Sequence, residues 1–169
     1  MFKAIALVST LVITLAATSA FSQSLGGQYK DWAFFTSKED GNKVCYITSN
    51  PTRKTGTYKI RGDVYMIVTY RGSGSIPEVS IDTGFPYKNG SNVDFVIDGK
   101  KQFTFFTSGQ TPQMAWAKDS QADRTVIDAM KRGSRVNTKG TSARGTVAQD
   151  TYSLKGFSAA YDKMIAACQ

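Results

Sequence analysis

The two cysteines, Cys45 and Cys168, are the residues with the clearest potential chemistry. A pair of thiols either stabilises a fold as a disulfide or works as a redox couple. Redox couples are typically close together as Cys-x-x-Cys, whereas these two cysteines lie far apart in the chain. In an oxidising compartment, this spacing predicts one Cys45–Cys168 disulfide, with a redox pair as the less favoured alternative.

The N-terminus predicts such a compartment, because residues 1–22 have the pattern of a secretory signal peptide. Lys3 is followed by an apolar run over 4–17, and small residues surround the expected cleavage point. The run is shorter than the roughly 20 residues that a membrane-spanning helix needs. We therefore expect residues 23–169 to be exported as one domain without a transmembrane anchor.

The residues that most other catalytic mechanisms need are absent from the sequence. The chain contains no histidine, which excludes Ser-His and Cys-His catalysis and the commonest zinc ligands. No P-loop, dinucleotide-binding fingerprint or Ser-x-x-Lys motif is present. Asp94 and Asp98 share a predicted strand face, where carboxylates are usually just solvated. The sequence thus predicts a protein that is not an enzyme and that uses no metal or cofactor.

One tripeptide, Arg61-Gly62-Asp63, has the composition of an adhesive ligand. Such a motif works when it is displayed at an exposed loop tip. Here Asp63 leads directly into the most apolar predicted strand, so a turn before that strand is the favoured interpretation. Adhesive binding stays open as an alternative.

The charge balance indicates an anionic partner. The chain has 21 Lys and Arg against 13 Asp and Glu, a formal net charge of +8, and Lys3 is the only charged residue within 1–22. An exported basic protein can meet anionic envelope polymers or an acidic protein, whereas nucleic acid does not suit that compartment. The predicted contacts for an anion are loop or strand-end cations, namely Arg71, Lys139 and Arg144.

Alternation of apolar and polar residues with period two predicts strands through most of residues 29–154. Asp98-Gly99 predicts a tight hairpin. A first helix should begin with Ser120 and Asp123 as a capping pair and end at Gly133, and a second should occupy the C-terminal segment. The pattern predicts a mainly β, single-domain antiparallel sandwich or barrel-like fold with two short helices, the second C-terminal.

The most specific motif of the chain is the segment 140–168, GTSARGTVAQDTYSLKGFSAAYDKMIAAC. Shorter pieces precede it, in this order along the chain: Tyr29 with Asp31-Trp32, Asn50-Pro51, Gly84-Phe85-Pro86, Ala115-Trp116-Ala117 and Met130-Lys131-Arg132-Gly133. Together, these motifs resemble the invasion-associated locus B family of bacterial exported proteins.

This resemblance implies a mainly β protein of the Gram-negative envelope, located in the periplasm, at the cell surface or outside the cell. In pathogens the family is linked to host-cell entry, and it offers no catalytic residues to transfer. We therefore expect a protein that acts by binding an envelope protein or an anionic envelope polymer. The alternatives are an adhesin that contacts the host-cell surface through a loop, and a hydrolase of envelope polymer. A hydrolase would need a deep cleft that holds carboxylates with raised pKa values.

Overall fold

The computed structural model describes residues 23–169, so the predicted signal peptide over 1–22 lies outside the described residues. Eleven β-strands and two α-helices make up the described chain. The elements in chain order are β1 (Ser24–Tyr29), β2 (Trp32–Glu39), β3 (Asn42–Ser49), β4 (Arg53–Gly56), β5 (Tyr65–Tyr70), β6 (Glu78–Asp82), β7 (Asn92–Ile97), β8 (Lys101–Thr107), β9 (Met114–Trp116), α1 (Ser120–Arg132), β10 (Arg135–Thr141), β11 (Val147–Ser153) and α2 (Phe157–Cys168).

All eleven strands belong to one antiparallel sheet. Their order is β1-β2-β3-β5-β6-β9-β8-β7-β10-β11-β4, so β1 and β4 are its edges. The prediction of a mainly antiparallel β fold with two helices, the second C-terminal, is confirmed. β5 is apolar on both faces and pairs with β3 on one side and β6 on the other, as expected for an interior strand.

The sheet curls around its core, because strands far apart in its order contact each other. The Trp32 indole N–H at the start of β2 donates to the Ser153 carbonyl at the end of β11 over 3.0 Å. The Asp31 amide donates to the Lys155 carbonyl over 3.2 Å. Curling gives the sheet an inner face around the core and an outer face towards solvent. Trp32 itself is fully buried.

Helix α2 packs on the inner face of β2 and β3. The Phe157 ring meets the Trp32 ring edge-on, with centroids 4.9 Å apart. Cys168, at the end of α2, is bonded to Cys45 of β3, with 6.0 Å between their Cα atoms. The predicted disulfide is therefore present, and it holds α2 against the sheet. Neither helix within residues 23–169 is long and apolar enough to cross a lipid bilayer.

Three local predictions need correction. The strand pattern that was predicted to begin at residue 29 is interrupted by a turn at Lys30, whose φ is +54°, and the residues before this turn form an additional strand, β1. Strand β4 was not predicted, because its sequence, RKTG, has no apolar alternation. The α1 cap is Asp119, whose side chain accepts from the Ala122 amide over 2.9 Å, and not the pair of Ser120 and Asp123.

Candidate functional site

Arg61 is the most highly connected charged residue inside the fold. Its side chain and that of Asp150 are each only 3% exposed. The two terminal nitrogens of the guanidinium donate to the two oxygens of Asp150, over 2.8 and 2.5 Å. They also donate to the Tyr58 hydroxyl and the Thr83 hydroxyl, and Nε donates to the Thr83 carbonyl over 2.8 Å. All five donors of the guanidinium therefore have a partner within the protein.

The aromatic rings of Tyr58 and Phe85 each lie 5.0 Å from the Arg61 guanidinium carbon. Burial lowers the pKa of Arg61, but the hydrogen bonds to Asp150 and Tyr58 outweigh this effect and raise it overall. The guanidinium is thus permanently charged and fully engaged, with no donor left for a ligand. We call this group of Arg61, Asp150, Tyr58, Thr83 and Phe85 the arginine clamp.

The arginine clamp favours the turn interpretation of Arg61-Gly62-Asp63 over the adhesive alternative. Gly62 and Asp63 are exposed, but the Arg61 side chain points into the protein. The Gly62 amide is held by the Gly84 carbonyl over 2.9 Å. A receptor that must read the arginine and the aspartate together would find only the aspartate. The segment is therefore a structural turn before β5.

Two buried tyrosine hydroxyls lie near the arginine clamp. Burial raises the pKa values of the Tyr87 and Tyr152 hydroxyls, so both stay protonated at neutral pH. Among residues 23–169, no three His, Cys, Asp or Glu side chains are arranged to hold a metal ion.

Asp123 is a carboxylate with a raised pKa. It lies on the buried side of α1 and accepts from the Val79 amide of β6 over 2.9 Å. Burial raises its pKa to about 6, against the lowering effect of the Val79 hydrogen bond. The carboxylate joins helix to sheet. It does not line the depression described next, so its pKa reflects burial in a structural contact.

The outward side chains of β4, β11 and β10, with those of neighbouring β7, form a polar surface. The antiparallel register aligns them in two cross-strand rows. We call this surface the outer polar face. Its members are amides, hydroxyls and charged groups: Arg53 and Thr55 of β4, Gln149 and Thr151 of β11, Asn137 and Lys139 of β10, and Asp94 of β7.

A partly open depression of about 240 Å³ lies at the β4 end of the outer polar face. Arg53, Thr55, Asn137, Gln149 and Thr151 line it, together with Asp150, whose carboxylate turns inward to the arginine clamp. The Thr151 hydroxyl donates to the Asn137 amide oxygen over 2.9 Å, which orients the amide. The depression therefore offers a cation and several neutral hydrogen-bonding groups.

The structure does not bring the three predicted anion contacts together. Arg71 is at the end of β5, where it pairs with Glu39 at 3.3 Å and Glu78 at 3.8 Å. Lys139 is exposed on the outer polar face, and Arg144 is exposed in the loop between β10 and β11. Neither has an ion pair among the described residues, because the four pairs in that region involve other cations. Lys139 and Arg144 remain candidates, whereas Arg71 is already neutralised.

Comparison with known proteins gives a consistent result. A family model described as "Invasion associated locus B (IalB) protein" matches residues 32–165. The chain belongs to this family. The fold is similar to the crystal structure of invasion associated protein B from Bartonella henselae, with a TM-score of 0.62 and 20% sequence identity, over 85% of this chain and 97% of that chain. No curated protein is significantly similar in sequence.

In this IalB-family chain, the sequence analysis singled out Lys139 but not Arg53, Asn137 and Gln149 of the same face. The sequence could have placed two of them, because strict alternation of buried and exposed residues in β10 and β11 puts Asn137 and Gln149 on the outer face. No such pattern marks Arg53. Its strand pairs with β11, about a hundred positions later in the chain, and only the tertiary structure shows that pairing.

Proposed function

We propose that this IalB-family protein is an exported, non-enzymatic component of the bacterial envelope that binds an anionic envelope polymer through the outer polar face. One observation carries the proposal: two cations, Arg53 and Lys139, lie on the same surface as amide and hydroxyl groups that the strand register aligns. Neither cation has an ion-pair partner within residues 23–169. Such a surface can neutralise carboxylate or phosphate groups and hydrogen-bond the hydroxyls of a polymer.

Export is supported by the disulfide and by family membership. A disulfide such as Cys45–Cys168 forms and persists in an oxidising compartment. The N-terminal pattern of residues 1–22 has the charged start, apolar run and small residues of a secretory signal. A net positive charge suits attraction to the anionic polymers of an envelope.

A hydrolase of the same polymer is less well supported. Hydrolysis by carboxylates needs two of them flanking the scissile bond, with one protonated as the general acid and room for the attacking water. Asp150 is the single carboxylate among the residues that line the depression, and it is bound to Arg61. A direct adhesin through Arg61-Gly62-Asp63 is disfavoured because the arginine is buried.

Binding of the purified 23–169 domain to immobilised polygalacturonate and dextran sulfate, at increasing salt, tests the proposal. We expect the Arg53→Gln/Lys139→Gln double variant to bind about tenfold more weakly at low salt, because each exposed cation contributes a modest electrostatic attraction. The slope of log affinity against log salt should fall by about two, one for each lost charge contact.

The matched control is Lys155→Gln/Lys163→Gln, which removes the same charge from exposed positions outside the outer polar face. We expect it to bind nearly as the unchanged protein does. Equal losses in both double variants would mean that net charge alone drives binding, and the assignment to the outer polar face would be wrong.

A further inference from the structure

Four loops meet at one end of the sheet, beyond the arginine clamp. They are residues 57–64, 83–91, 108–113 and 142–146, and backbone hydrogen bonds join them. The Ala143 amide donates to the Pro86 carbonyl over 2.8 Å, and the Tyr87 amide donates to the Pro112 carbonyl over 2.7 Å. With the Gly62–Gly84 bond described above, these contacts make one continuous surface, which we call the loop end.

Ile60 projects from the loop end and is 90% exposed, more than any other large apolar residue among those described. An isolated exposed apolar side chain is common on protein surfaces. This one differs because the arginine clamp fixes the chain on both sides of it, through Tyr58 and Arg61. The protein therefore holds a branched aliphatic side chain in water on a well-anchored loop.

Three cations lie on the connected loops that form the loop end. Lys59 lies in the first loop, Lys88 lies in the second loop, and Arg144 lies in the fourth; all three are exposed. None of them has an ion pair within the described part of the chain. Two carboxylates also lie at this end: the exposed Asp63, and Asp82, which accepts from the Gly84 amide over 2.9 Å. The balance of these exposed and half-buried charges is positive.

We propose that the loop end docks on the surface of an anionic lipid bilayer, with Ile60 entering the boundary between headgroups and acyl chains and with Lys59, Lys88 and Arg144 contacting lipid phosphates. A loop end that carries an exposed apolar tip and a positive balance of charge complements this interface, which offers hydrocarbon beneath negative charge. A hydrated anionic polymer would satisfy the three cations but would leave Ile60 in water. The proposal uses residues that the outer polar face does not contain.

The Ile60→Trp variant tests the position of this side chain directly. With vesicles of phosphatidylcholine containing about one third phosphatidylglycerol, we expect a blue shift of tryptophan emission and quenching by brominated acyl chains. The unchanged protein, which contains only Trp32 and Trp116, supplies the background signal. Pure phosphatidylcholine vesicles should give little shift, because the attraction to anionic headgroups is missing.

Two sets of variants separate the apolar and the charged contributions in vesicle co-sedimentation. Ile60→Ser should weaken binding by about ten- to a hundredfold, as expected when a buried aliphatic side chain is lost. Leu25→Ser, a change of the same kind at a 61% exposed residue of β1, should leave binding unchanged. The Lys59→Gln/Lys88→Gln/Arg144→Gln variant should lose the preference for phosphatidylglycerol.

Three outcomes would overturn the proposal: no emission shift, equal effects of Ile60→Ser and Leu25→Ser, or competition by millimolar inorganic phosphate, which would indicate a site for free anions. The Arg53→Gln/Lys139→Gln variant should keep vesicle binding. The two proposals can therefore fail separately. If the unchanged protein binds vesicles but no anionic polymer, the proposed function is wrong; if it binds polymer but no vesicles, the docking proposal is wrong.

Discussion

Replacing Asp150 by Asn tests the arginine clamp. The substitution keeps the size of the side chain but removes the one carboxylate within residues 23–169 that contacts Arg61. It leaves a guanidinium that is 3% exposed without a counter-ion from that part of the chain. Breaking a buried ion pair from one side costs about 3–5 kcal/mol. Asn retains one acceptor oxygen, so we expect the free energy of unfolding to fall by about 2–3 kcal/mol.

Arg61→Met should cost about 3–5 kcal/mol, since it leaves the Asp150 carboxylate buried without its partner. The double variant should cost about as much as Asp150→Asn alone, so that the coupling energy between the two positions is about 3 kcal/mol or more. Urea unfolding in the oxidised state, followed by tryptophan emission, measures all four proteins. The buried Trp32, bonded to Ser153 of the same strand as Asp150, reports on the region.

The pair between Arg71 and Glu39 is the matched control, because its side chains are 49% and 48% exposed. Glu39→Gln should cost no more than about 1 kcal/mol. If Asp150→Asn and Arg61→Met each cost as little as this control and their effects simply add, the clamp is not a coupled buried unit. The structural explanation of the Arg-Gly-Asp segment would then be wrong.

Three further predictions concern stability. Reduction of the Cys45–Cys168 disulfide, which spans 123 positions, should lower the free energy of unfolding by up to about 5 kcal/mol, measured by urea unfolding with and without reductant. Because the pKa of Asp123 is raised from 3.8 to about 6 in the folded state, its contribution to stability is highest below pH 4 and is lost as pH rises to 6. This loss is about 1 kcal/mol after allowance for solvent screening. In the Asp123→Asn variant, the melting temperature should therefore change less between pH 4 and pH 6 than in the unchanged protein. Gly156→Ala should be far more destabilising in thermal melts than Gly145→Ala: both glycines have positive φ, but only at Gly156 would a new Cβ overlap backbone atoms of the β1–β2 turn. Equal losses at the two glycines would contradict the steric argument.

Local patterns predicted much of this fold. Alternation identified β5, β7 and β8, and Asp98-Gly99 identified their hairpin, where both residues have positive φ. The disulfide could be predicted because export and a cysteine count of two leave one pairing. These features depend either on residues that are neighbours in the sequence or on the number of cysteines.

The missed features depend on contacts between distant residues. Arg61 gave no signal of its role, since Asp150 is 89 positions away. Asp123 looked like a capping residue because acidic groups favour the first turn of a helix. Its bond to the Val79 amide could not be predicted, because nothing local shows that α1 packs beside β6. For the same reason, Lys139 is the one member of the outer polar face that the sequence proposed as an anion contact.

The position of β4 has a consequence for assembly of the molecule. This short edge strand follows β3 in the chain, yet its only strand partner among the described residues is β11. Cys45 likewise meets its partner only after every strand has been made. The sheet therefore cannot be completed progressively from its N-terminal part, and the most distant loop closures must come late. Such a topology favours slow folding, during which the free thiolate of Cys45 can attack other disulfides and form mixed disulfides with them.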